Sequence, residues 1–227
     1  MPRRYFTPGT FAFLKDLAGH NDRDWFAANQ DRYERLVREP ALDFITDFAG
    51  PLASISEHFT ADARKAGGSL FRIHRDTRFS RDKTPYKTNT GMQFRHAAAR
   101  DAHAPGFYLH LEPGGCFAGV GIWRPEAAVA GRIRTAIADD PEGWLAAAGD
   151  GFREVWSLEG EVLKRPPRGF DPEHPLVGDL RRKDFVAMVP LTQRRVTAAG
   201  WLEDYTGLCR AGAPFMSFLC RALGLPF

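Results

Sequence analysis

Six cations and two carboxylates fall within seventeen consecutive residues, FRIHRDTRFSRDKTPYK, from Phe71 to Lys87. The net +4 of that stretch exceeds the +3 of the whole chain, so the other 210 residues sum to −1 and the excess positive charge is a local feature. Arginine presents a planar donor fork that matches carboxylate and phosphate, and several cations on one strand and its loop can converge on a single anion. Asp76 and Asp82 are too few to neutralise Arg72, Arg75, Arg78, Arg81, Lys83 and Lys87. The chemistry this points to is binding, or conversion, of a phosphate- or carboxylate-bearing small molecule, with Arg72, Arg78 and Lys83 on the anion and Arg75 bracing the strand. The same charges allow a second reading, an ion-pair network completed by Glu112, Glu154 or Asp171, because unmatched clustered charge is costly.

Period-2 patterning supplies the elements that would position these groups. Read as a strand, Phe71, Ile73, Thr77 and Phe79 share one face, while Arg72, His74, Asp76 and Arg78 share the other at about 7 Å spacing. Beyond Phe79 the alternation stops and Pro85 argues for a loop, which carries Arg81, Lys83 and Lys87. TNTGMQF (residues 88–94), GFYLHL (106–111) and CFAGVGIW (116–123) read as further strands, with Glu112-Pro113-Gly114-Gly115 as a hairpin turn. Parity sets Leu111 opposite Cys116, so Phe107, Leu109, Leu111, Cys116, Ala118, Val120 and Ile122 make a core face. If all four strands share one antiparallel sheet, its other face gathers Arg72, His74, Asp76, Arg78, Asn89, Gln93, Tyr108 and His110 around Gly91, Gly119 and Gly121. Glycines on a strand face signal close approach of a ligand or of another backbone. The candidate anion-binding set is therefore Arg72, His74, Arg75, Asp76, Arg78, Lys83, Lys87, Tyr108 and His110.

Other chemistries lack their spacing. His74, His110 and Asp76 fall on one predicted face, but there is no HxH, HExxH or CxxC, and hydrogen-bonded histidines are the simpler reading, so no metal and no cofactor are expected. No nucleophile elbow, P-loop or dinucleotide fingerprint occurs, and no catalytic residue is assigned. Tyr108, Phe117 and Trp123 beside basic residues keep single-stranded nucleic acid, or protein interaction through the same face, as an alternative, without the ribonucleoprotein signature.

Around the strands, helices are expected from Phe11 to about Gly19, from Asn21 or Asp22 to Pro40, and from Pro40 to about Phe59 with a kink at Gly50-Pro51. These three have the apolar faces to cover one side of a sheet. Further on, a helix from Pro125 to Ile137, a short segment at Trp144 to Ala148, a strand-like FREVW and a proline-rich ordered loop precede a strand at Phe185 to Leu191. Lys164, Arg165 and Arg168 on that loop either reach the polar face or are solvated. Closing helices span Leu202 to Cys209 and Pro214 to Leu223. The fold class is α+β, one domain over 1–227, with helices on the apolar face of a mainly antiparallel sheet. Three cysteines without paired spacing fit a reducing cytoplasm, and no stretch is long and apolar enough for a signal segment or a membrane span.

Taken together, FRIHRDTRFSRDKTPYKTN, GFYLHLEPGGCFAGVGIW, the early NDRDWFAANQDRY and the late LKRPPRGFDPEHPL resemble the bacterial and fungal domain of unknown function 2461 family. The motifs occur in the family's order, from Phe11 to the C-terminal helices. The resemblance implies a single α+β domain and brings no catalytic residue, substrate or cofactor.

Overall fold

Alternating side chains build an antiparallel sheet, though not from every stretch that the sequence offers. In the computed structural model, which describes residues 3–98 and 104–227, the elements in order are α1 (Pro8–Gly19), α2 (Arg23–Ala28), α3 (Gln30–Tyr33), a π-helical turn (Glu34–Arg38), α4 (Glu39–Ala53), β1 (Thr90–Arg95), β2 (Gly106–Leu111), β3 (Phe117–Ile122), α5 (Ala127–Asp139), α6 (Pro141–Ala148), α7 (Asp150–Arg153), β4 (Ser157–Glu159), α8 (Val177–Leu180), β5 (Phe185–Pro190), α9 (Gln193–Val196) and α10 (Trp201–Ala222). The strands form one five-stranded antiparallel sheet in the order β1-β2-β3-β5-β4. His110 pairs with Phe117 and Tyr108 with Gly119, the register that parity demands.

The apolar face carries Phe94, Phe107, Leu109, Val120, Ile122, Phe185 and Ala187, all buried in one core that includes residues of α4 and α10. Phe48 on α4 meets Phe94 edge-on with ring centroids 4.7 Å apart, and Tyr205 on α10 lies 5.0 Å from Phe48. The earlier helices do something else. Phe13, Leu14 and Leu17 of α1 join Phe26, Tyr33, Val37, Ile73 and Tyr86 in a separate, smaller cluster, so only α4 of the N-terminal helices covers the sheet broadly.

Several expected boundaries are corrected. Residues 71–79 are not a sheet strand; they are extended, with bends, and touch their neighbours through isolated bridges. Pro40 does not end a helix, because the wide turn closed by the Glu39 N–H on the Glu34 carbonyl lets the proline enter at the first turn of α4, where no N–H is needed. That helix stops at Ala53, and Phe59 instead bridges to His96. FREVW opens within α7 rather than a strand. Pro214 sits inside the continuous helix α10, where the packing of Phe215, Met216 and Leu219 outweighs one missing hydrogen bond. No helix among the described residues is long and apolar enough to cross a membrane.

Candidate anion-binding site

The charged stretch is a hairpin arm with a fixed base. Ser69 and Phe71 run along the free edge of β1, where Phe71 N–H donates to the Gly91 carbonyl (2.9 Å) and Gln93 N–H to the Ser69 carbonyl (2.8 Å). The chain then leaves the sheet and pairs with itself. Lys87 N–H donates to Ile73 (2.8 Å), Arg75 N–H donates to Pro85 (2.9 Å), and His74 bridges to Tyr86. Pro85 serves here as an acceptor, the one backbone role left to it. Beneath the arm, Tyr86 stacks on Phe26 with centroids 4.1 Å apart and Ile73 is buried in the same cluster. Asn21 closes the base, since its amide donates to the Tyr86 carbonyl (2.9 Å) and accepts the Tyr86 N–H (3.0 Å).

Exposure along 72–78 alternates as a strand's would: Arg72, His74, Asp76 and Arg78 face water while Ile73 is buried. The alternation fails at Phe79, which the sequence places on the apolar face and the structure leaves 96% exposed. A turn causes this, closed by Ser80 N–H on the Thr77 carbonyl at 3.3 Å.

Two of the six cations are matched within the arm itself. Arg75 pairs with Asp82 and also reaches the Thr84 hydroxyl. The Thr84 amide, then Arg75, hold the Asp82 carboxyl down at about 2. Arg78 grips Asp76 through two bonds of 3.0 and 2.7 Å, which holds that carboxyl at about 2. Among the described residues no ion pair joins Glu112, Glu154 or Asp171 to the arm, which carries its own acids. Lys83 donates to the Thr77 carbonyl at 2.8 Å. Lys87 lies over the Phe71 ring at 5.3 Å, and its burial, then the neighbouring Arg72, lower its pKa. Among the described residues, Arg72 and Arg81 form no ion pair or hydrogen bond, and neither Lys83 nor Lys87 meets a carboxylate.

Between the arm and the start of α2 lies an open cleft of about 830 Å³, lined by Asn21, Asp22, Arg23, His74, Arg75, Thr77, Lys83, Thr84, Pro85 and Tyr86. Of the residues picked from sequence, His74, Arg75 and Lys83 line it; Arg72, Asp76, Arg78 and Lys87 belong to the same arm without lining it. Asp22 is engaged as the cap of α2, accepting the Trp25 N–H at 2.8 Å. Arg23 makes no ion pair among the described residues. Sequence reading makes Asn21 or Asp22 the start of a helix; nothing in the spacing of residues 21–23 announces that they close a cleft from 50 positions away. Lys164, Arg165 and Arg168 are exposed and line no part of it.

Tyr108 and His110 stand apart, on the sheet's polar face. The Tyr108 hydroxyl lies 3.0 Å from His110 Nδ1, and Nε2 lies 3.2 Å from Glu112. With the carboxylate accepting, Nε2 carries the proton and the tyrosine donates. Burial, then Glu112, push the Tyr108 hydroxyl up to about 12. The two histidines are not brought together, since His74 packs on Tyr86 and His110 stacks on Phe117, and among the described residues no three His, Cys, Asp or Glu side chains are grouped to hold a metal. The glycines have structural occupants: a Cβ at Gly91 would lie 2.4 Å from the Tyr108 hydroxyl, and one at Gly121, where φ is +116°, would lie 2.1 Å from the Phe185 carbonyl.

Comparison with curated proteins finds no match. A family model described as conserved hypothetical protein (DUF2461) matches residues 9–218, nearly the whole described length, including α1, the charged arm, the sheet and most of α10. The chain belongs to the DUF2461 family.

Proposed function

We propose that the chain binds a phosphate- or carboxylate-bearing small molecule in the cleft between residues 21–23 and the arm 73–86. The observation that carries this reading is the surplus of cations on a braced frame. Asp76 and Asp82 are spent on Arg78 and Arg75, while Lys83 and, across the cleft, Arg23 meet no carboxylate among the described residues. Arg75 belongs to the frame through Asp82 and Thr84; Arg23 and Lys83 hold the anion, with His74 beside them. Arg72, Arg81 and Lys87 add a local positive field that raises the anion's concentration near the cleft. We place this activity in a reducing cytoplasm on account of three buried free thiols, Cys116, Cys209 and Cys220.

Calorimetric titration with inorganic phosphate, pyrophosphate and citrate at low salt tests the reading. Lys83→Ala and Arg23→Ala are each expected to weaken binding by roughly 10- to 150-fold, the range for a hydrogen bond to a charged group. Absence of binding by every anion at low salt would sink it. So would binding that both variants leave unchanged.

A further inference from the structure

Phe79 has no role in either apolar cluster and is 96% exposed, yet it sits on a turn that the fold takes trouble to hold. The Thr77 carbonyl receives both the Ser80 N–H and the Lys83 ammonium, and Thr77 and Lys83 also line the cleft. The turn thereby carries an aromatic side chain, itself outside the cleft lining, two residues in sequence from Thr77 on the cleft wall. The Arg78 guanidinium, paired with Asp76, lies 5.8 Å from the ring centroid. Arg81, on the far side of Phe79 in sequence, carries no partner among the described residues. An exposed ring on the same turn as Lys83 is a pairing suited to a base attached to phosphates, because every nucleobase offers a π-face to stack.

We infer that the ligand of the cleft is a nucleoside polyphosphate, with its phosphates on Lys83 and Arg23 and its base on Phe79; this rests on the anion reading above. The experiment compares ATP with inorganic tripolyphosphate by calorimetry at low salt, on the full chain and on Phe79→Ala and Phe79→Trp. ATP is expected to bind roughly 5- to 150-fold more tightly than tripolyphosphate, the range of one base–aromatic stack. Phe79→Ala should erase that difference and leave tripolyphosphate unchanged, and Phe79→Trp should retain it. Equal affinities, or an ATP affinity indifferent to Phe79→Ala, overturn the inference while leaving the cleft reading intact if tripolyphosphate still binds and is weakened by Lys83→Ala. Failure of both ligands to bind removes both. A single-stranded oligonucleotide that binds more tightly than ATP, steeply salt-dependent and lost in Phe79→Ala, would replace the small molecule with nucleic acid.

Discussion

Asn21 does for Tyr86 what a neighbouring strand would do, because a carboxamide offers the same donor and acceptor pair as a peptide group. Asn21→Ala leaves both backbone groups of a buried residue unmet, at an expected cost of about 1–3 kcal/mol. Denaturant unfolding measures that loss, and anion affinity should fall with it since the cleft wall is released. A variant as stable as the parent would show the clamp to be dispensable. Tyr108 poses a different residue-scale question. Burial, and then Glu112, push its hydroxyl from an ordinary 10 up to about 12. A raised pKa contributes stability that is complete below pH 10 and lost as the pH climbs through 12. Tyr108→Phe should therefore be destabilised at neutral pH by about 0.5–1.5 kcal/mol, for the lost bond to His110, and should lose less stability than the parent between pH 10 and 12. Parallel alkaline curves for the two proteins would contradict the assignment.

At the scale of elements, the three glycines on the polar parity separate cleanly. A Cβ at Gly121 meets the Phe185 backbone carbonyl and requires φ near +116°, so Gly121→Ala is expected to cost about 2–4 kcal/mol. At Gly91 the obstacle is the far end of Tyr108, which can swing away by surrendering its bond to His110, and about 1–2 kcal/mol is expected. Gly119 has only ordinary contact, 3.6 Å from the Tyr108 Cβ, and Gly119→Ala should be tolerated within about 0.5 kcal/mol. Thermal unfolding of the three variants checks the ranking; equal losses would refute it. The same elements show what could be read beforehand. β2, β3 and their register follow from parity because a one-residue slip would expose every aliphatic side chain at once. Residues 71–79 alternate just as clearly, since any extended segment with one buried side alternates; the period says nothing about the pairing partner, which is 85–87 rather than a sheet neighbour. Phe79 defeats the pattern because a turn places it. The sequence reading ends one helix at Pro40 and starts a new one at Pro214, whereas the helical chain runs on through both, since a π-helical turn and the packing of α10 are tertiary facts with no local signal. Of the nine candidate site residues, His74, Arg75 and Lys83 share the cleft because they sit on one arm, whereas Tyr108 and His110 were grouped with them only through a sheet that does not extend that far.

For the molecule as a whole, the arm bearing the charge is anchored to the smaller of two apolar clusters. Ile73 and Tyr86 pack with α1, α2 and Val37, whereas β2, β3, α4 and α10 share the larger core. Among the described residues, its ties to the sheet lie at its base, in the two hydrogen bonds at Ser69 and Phe71 and the Phe71 ring beside Tyr108 at 6.0 Å. A site on such an arm can loosen without unfolding the sheet, because regions with few buried contacts open at a smaller free energy than the core. Hydrogen exchange makes this measurable at neutral pH. The amides of Arg75 and Lys87, whose partners are Pro85 and Ile73, are expected to exchange through a local opening, well before those of β2 and β3. Ile73→Ala, of a kind that costs about 2–5 kcal/mol in a full core, should strip protection from Arg75 and Lys87 while the amides of β2 and β3 keep theirs. An anion held by the cleft should act in the opposite direction, adding about 2.7 kcal/mol to the protection of those two amides at 100 times its dissociation constant, and little to the sheet. Exchange of the arm in step with β3, in the parent and in Ile73→Ala alike, would mean that the two clusters unfold as one unit, and the cleft would then have to be treated as a rigid part of the core.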